Sequence, residues 1–134
     1  MNLVEKLLKM DATPFTERET KEIEIKRLSE KFGEPFIVTV GAIDAERFIE
    51  LSSEMLGNNG KVDFSKSFNT NALLVCEGVI SPDLKNKDLQ AHFKAQTPKE
   101  LAKILFKGEI SKLSNAITEL SGFGSDDEDE ELKN

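Results

Sequence analysis

Apolar positions near the start of the chain recur at Leu3, Leu7 and Met10, a spacing that places them on one side of a short amphipathic helix. The turn-prone stretch around Thr13 and Pro14 closes it, and a helix of that length is too short to stand alone. The period then shortens to two: Ile23 and Ile25 alternate within KEIEIKRL, and Phe36, Val38 and Val40 share one face of the β-branched run FIVTV. Gly33 and Pro35 break the chain between these runs, which predicts an antiparallel hairpin over about residues 20–40. Thr16 with Glu19 also has the form of a capping box, which would begin a helix there instead.

From Asp44 onward the pattern becomes helical. Phe48, Leu51 and Met55 fall on one face behind an aspartate suited to accept from the free N–H groups of a first turn, and Gly57 ends the segment. GNNGKVD reads as a loop. A second helix from residue 66 to about 79 places Phe68, Ala72, Val75, Cys76 and Val79 on one stripe, and SPDLKNKD is a turn region before a short helix, LQAHF, carrying Leu89 and Phe93. The strongest local signal is TPKE at 97–100, with Thr97 as N-cap, Pro98 in the first helical position and Glu100 placed to bond back to the cap. Leu101, Leu105 and Phe106 give that helix a buried face, Gly108 interrupts it, and Ile110, Leu113, Ile117 and Leu120 continue to a stop at Gly122. The last stripe could face the core or a partner, with core the default.

The elements sum to a mainly α (α+β) fold: a helical domain, about 44–122, with a small N-terminal antiparallel β hairpin. At 134 residues and 38% apolar content the chain can bury a core, which makes 1–123 one expected compact domain and 124–134 an expected disordered acidic tail. No internal repeat is visible.

Charge changes the picture only at the end. The formal net charge is −7, but Asp126, Asp127, Glu128, Asp129, Glu130 and Glu131 are consecutive, and the rest of the chain is nearly neutral. No basic stripe could neutralise a phosphate backbone, which argues against nucleic-acid binding. The acidic run lacks the alternating acids and the turn glycine of an EF-hand loop, so it suggests no metal site. Like charges at that density favour a solvated, extended segment, with contact to a basic partner through Asp126, Asp127, Glu128, Asp129 and Glu130 as the other reading.

Candidate chemistry is sparse. His92 is the single histidine and Cys76 the single cysteine, with no second histidine to serve a nucleophile, no phosphate-binding loop and no nucleophile elbow. Cys76 lies among Leu74, Val75 and Val79, where a thiol is expected to be buried and inert, and Glu77 beside it disfavours the thiolate further. One cysteine suits a reducing compartment, no signal-peptide-like apolar stretch opens the chain, and no segment nears the length of a membrane span. No cofactor and no enzymatic activity are expected.

In their order, three pieces resemble the bacteriophage tail assembly chaperones of long-tailed phages and phage-derived tail-like particles. IKRL at 25–28 with GEPFIVTV at 33–40 is similar to the family's N-terminal hairpin, CEGVISPDLKNKDL at 76–89 to its central signature, and TPKELAKILFKGEISKLSNAITELSGF at 97–123 to its C-terminal helical hairpin. The resemblance implies a non-enzymatic role in the cytoplasm of the bacterial host: binding the tape measure protein, keeping it soluble until the tail tube protein polymerises, and then leaving. It also implies self-association and a longer form made by ribosomal frameshift, this chain corresponding to the short one. The alternative is a stand-alone regulatory protein whose acidic tail occupies a basic site on a partner.

Overall fold

The computed structural model describes residues 2–53 and 64–123. It is a mixed α+β fold, mostly helical, with one three-stranded antiparallel sheet. The elements are α1 (Leu3–Leu8), α2 (Thr13–Thr16), β1 (Thr20–Glu24), α3 (Lys26–Phe32), β2 (Ile37–Gly41), α4 (Ala45–Ser52), α5 (Phe64–Gly78), β3 (Val79–Ser81), α6 (Lys87–His92), α7 (Pro98–Phe106) and α8 (Ile110–Leu120), with a 3-10 turn at Lys107–Glu109 joining the last two.

The alternation that predicts strands is real, but the tight hairpin is not. β1 and β2 pair antiparallel with Ile23 opposite Val38, and the segment between them winds into α3 rather than a turn. Ile25 leaves the ladder as the N-cap of α3, although its N–H still donates to the Phe36 carbonyl at 3.0 Å. The Thr16–Glu19 capping box does not form, since Thr16 is the last residue of α2 and β1 begins at Thr20. A third strand was not legible in the sequence. β3 continues directly from α5 and pairs with β2 through Val40 opposite Val79, so that β2 is central and β1 and β3 are the edges.

Val38 and Val40 are fully buried, and with Ile23 and Val79 they give the sheet one apolar face. Helix α8 packs against that face, and α5 packs against α8, α7 and α4. Phe106, Leu101, Ile110, Leu113 and Ile117 have no exposed surface, so the stripe running through α7 and α8 is core. Arg27 fastens α3 to this layer: its Nε donates to Glu109 Oε1 at 2.8 Å and its Nη2 to the Leu105 carbonyl at 2.8 Å. Burial pushes the Glu109 carboxyl up, but the bonds from Arg27 outweigh it and hold the group below its ordinary value.

Capping follows the sequence at some ends and departs at others. Thr97 accepts from the Glu100 N–H at 3.1 Å as expected, whereas the Glu100 carboxylate takes the N–H of Gln96, one residue before the cap. Asp44 is the N-cap of α4, yet its side chain accepts no capping bond. The break between α7 and α8 is the 3-10 turn Lys107–Glu109 that contains Gly108, and the positive φ in it, +48°, belongs to Lys107. Gly122, with φ +93°, does close α8: its N–H donates to the Glu119 carbonyl and that of Phe123 to the Thr118 carbonyl, the paired bonds of a Schellman motif. Phe123 then stacks on Phe48 of α4 with ring centroids 4.3 Å apart.

Side-chain placement corrects two further expectations. Phe68 is 40% exposed although its stripe partners Ala72 and Val75 are buried. Helix α6 begins at Lys87 behind an Asn86 cap, and its buried member is Gln90, whose Nε2 donates to the Leu84 carbonyl at 2.8 Å; Leu89 is half-buried and Phe93 is exposed. Met55 lies outside the described residues.

Candidate partner-binding surface

Residues 2–17 form an arm that contributes no side chain to the core. Asn2 caps α1 by accepting from the Glu5 N–H at 2.9 Å, and the Asp11 carboxylate accepts from the Thr13 N–H at 2.9 Å to make the elbow into α2. That bond holds the Asp11 carboxyl below its ordinary value. Within α1, Leu3, Val4, Leu7 and Leu8 occupy an arc of about 140° at 100° per residue, and Glu5 and Lys6 take the other side. An arc of this kind normally faces a core. Here it faces solvent: Leu3 is 75%, Val4 65%, Leu7 57% and Leu8 80% exposed, and Met10 and Phe15 carry the apolar surface onward.

The base of the arm is held by Arg18. Its Nε donates to the Ala42 carbonyl at 2.7 Å and its Nη2 to the Glu77 carbonyl at 3.0 Å, so one guanidinium grips the end of β2 and satisfies a free carbonyl in the last turn of α5. The guanidinium crosses Gly41 so closely that a Cβ there would lie 2.5 Å from Arg18 Nε and 2.9 Å from Ile80 Cδ1. A glycine is what admits this crossing. Beneath it opens a cleft of about 600 Å³ between the arm, the β2–α4 turn and the end of α5. Arg47 enters from α4, bonded to Glu77 at 2.8 Å and to Glu50 at 3.1 Å. Both arginines are already paired with the protein, which makes this cleft a joint.

The residues that could carry chemistry are not brought together. His92 is exposed and meets Phe93 edge-on at 5.1 Å. Cys76 is half-buried on α5, its thiol pushed up to about 11 from an ordinary 9.0, first by burial and then by the Glu77 charge, with Lys99, Lys85 and Lys103 opposing in part. The shift favours the protonated thiol of the folded state; that preference is complete below about 9 and is lost as pH rises through 11. Alkylation of the folded chain by iodoacetamide at pH 8 is therefore expected to run about a hundredfold slower than with a free thiol, and unfolding in urea should abolish the difference. Among the described residues no three His, Cys, Asp or Glu side chains are grouped to hold a metal ion, and no helix is long and apolar enough to cross a membrane. The acidic candidates Asp126, Asp127, Glu128, Asp129 and Glu130 lie outside the described residues.

Among the described residues the most prominent surface feature is thus the exposed apolar arc of α1. The profile of the phage XkdN-like tail assembly chaperone proteins matches residues 4–133, and the chain belongs to that family. Among individual relatives it is 33% identical over 128 residues to the phage-like element PBSX protein XkdN of Bacillus subtilis (strain 168), covering 87% of this chain and 86% of that one. It is also 33% identical over 123 residues to the uncharacterized protein YqbN of the same strain, covering 83% and 81%. A crystal structure of YqbN superposes with a TM-score of 0.57 at 26% identity, over 87% of this chain and 98% of that one.

Proposed function

We propose that the chain is a non-enzymatic chaperone that binds the tape measure protein in the cytoplasm of the bacterial host, keeps it soluble before the tail tube polymerises, and is absent from the finished particle. The observation that carries this reading is the α1 surface: a chain of the tail assembly chaperone family holds out four large aliphatic side chains on one helical arc, all more than half exposed. A long helical protein whose apolar face must be covered until tube subunits surround it is a fitting client for such a surface. The test is co-expression with the tape measure protein of the same tail gene cluster. The tape measure protein should move from the pellet to the supernatant and co-purify with this chain; an unchanged pellet with no co-purification would sink the reading.

A further inference from the structure

We infer that the acidic run at residues 126–131 docks on this chain's own lysine face, formed by Lys99 and Lys103 of α7 with Lys85 beside the last turns of α5. The contact lies within one chain and does not depend on the chaperone reading.

Three lysines from two separate stretches gather on this face. Lys99 and Lys103 stand at i and i+4 on α7 and therefore share a side of it. That side leans over α5, where Lys103 Nζ donates to Asn69 Oδ1 and sits 5.5 Å from the centre of the Phe68 ring. Lys85, in the turn before α6, joins them around Cys76, whose thiol feels the charge of all three. Lys85 is exposed, and Lys99 and Lys103 are half-buried. Among the described residues none of the three is paired with a carboxylate. The acids of α5 and α7 are already engaged, Glu77 with Arg47 at 2.8 Å and Glu100 with the Gln96 N–H at 2.7 Å. Asp83, two residues before Lys85, accepts from the Lys85 backbone N–H at 3.0 Å.

The complementary charge is carried by the same chain and leaves the fold nearby. Residues 126–131 supply six carboxylates with no base between them. Gly78, two residues after Cys76, abuts Ile117, and Phe123 follows Ile117 by six residues, about 9 Å at helical rise. Residues 124–131 reach up to about 26 Å when extended, and the first acid stands about 10 Å beyond Phe123, which brings the face within range.

Tethering selects the occupant. A segment held this near its site has an effective concentration of the order of millimolar, which the tail of a second copy or a free acidic protein matches only at millimolar concentration itself. Three lysines are also too few to hold a nucleic-acid backbone against six carboxylates attached alongside. Pairing between exposed charges is weak and screened by salt, so the tail guards the face and yields it to a stronger acidic ligand.

The test is carbodiimide cross-linking, which joins a lysine to a carboxylate in contact, on the full chain at about 10 µM, far below the tethered concentration. Mapped by peptide mass spectrometry, links from residues 126–131 should run to Lys85, Lys99 and Lys103 at least about fivefold more often than to the exposed Lys9 and Lys21. They should lie within one chain and fall by about threefold or more in 1 M sodium chloride, where the screening length is roughly 3 Å. A variant combining Asp126→Asn, Asp127→Asn, Glu128→Gln, Asp129→Asn, Glu130→Gln and Glu131→Gln alters no described side chain and should melt with the wild type. Its Cys76 should alkylate about two- to threefold faster, because cover and negative charge leave the neighbouring lysines. Links scattered over all exposed lysines, links indifferent to salt, or an unchanged Cys76 rate would overturn the inference. Links confined to a cross-linked dimer would overturn it as well, by assigning the face to the tail of a second copy.

Discussion

Replacing Phe106 by alanine should lower the unfolding free energy by about 3–5 kcal/mol, a large part of the roughly 5–15 kcal/mol that holds a domain of this size together. Phe106 is the largest side chain with no exposed surface. It closes α7 immediately before Lys107 takes up its positive φ, and the backbone beside it is pinned by the Arg27 bond to the Leu105 carbonyl. A site fixed in that way collapses poorly onto a void, which puts the cost toward the upper end. Urea titration is the measurement: the midpoint should drop with the slope unchanged. A loss under about 1 kcal/mol would mean that α7 relaxes into the space, contrary to the pinning described.

Gly78→Val should cost about 3 kcal/mol for the opposite reason. Gly78 ends α5 where the chain passes straight into β3, and a Cβ there would come within 2.7 Å of Ile117 Cγ1 and 2.9 Å of Ile117 Cγ2. Ile117 has no exposed surface, and a close-packed interior gives it little room to swing aside. The branched side chain must therefore push α5 and α8 apart. Ile117→Ala is itself destabilising, but together the two changes should cost less than their sum, a coupling that a double-mutant cycle reads directly. Strict additivity would show that the two helices do not meet at this point.

The helical hairpin at the C-terminal end was the most legible part of the fold, because three independent signals agreed: the Thr97–Pro98–Glu100 start, the apolar spacing, and the Gly122 stop. Strand pairing was legible too, since Ile23 alternates with Glu22 and Glu24, Val38 lies in a β-branched run, and the two do face each other. Helix α3 was not, because KRLSEKF buries only Leu28 and so offers no periodic face to read. β3 escaped for another reason. Three residues with only Val79 turned inward carry no period, and the strand exists because β2 supplies its partner. Phe68 illustrates the limit of a stripe, which gives the side of a helix but not how far along it the cover extends.

The candidate surface was half visible. Leu3, Leu7 and Met10 announce an amphipathic helix, but the same spacing describes a helix packed on a core, and exposure is decided by where the rest of the chain goes. The acids at 126–130 drew attention through charge density alone, whereas Arg18, an ordinary residue between Glu17 and Glu19, gave no sequence signal. Its role depends on Gly41 and Glu77, which are distant in sequence.

The Gly122–Phe123 closure carries one more consequence. Ser121 Oγ accepts from the Ile43 N–H at 2.8 Å and Phe123 lies on Phe48, so the chain leaves α8 beside the β2–α4 turn. Arg18 roots the arm at Ala42, the residue before that turn. Entry and exit therefore share one pole of the molecule. A group fused after residue 123 would therefore start out beside the root of the arm, at an effective concentration there set by tether length and not by an affinity of its own.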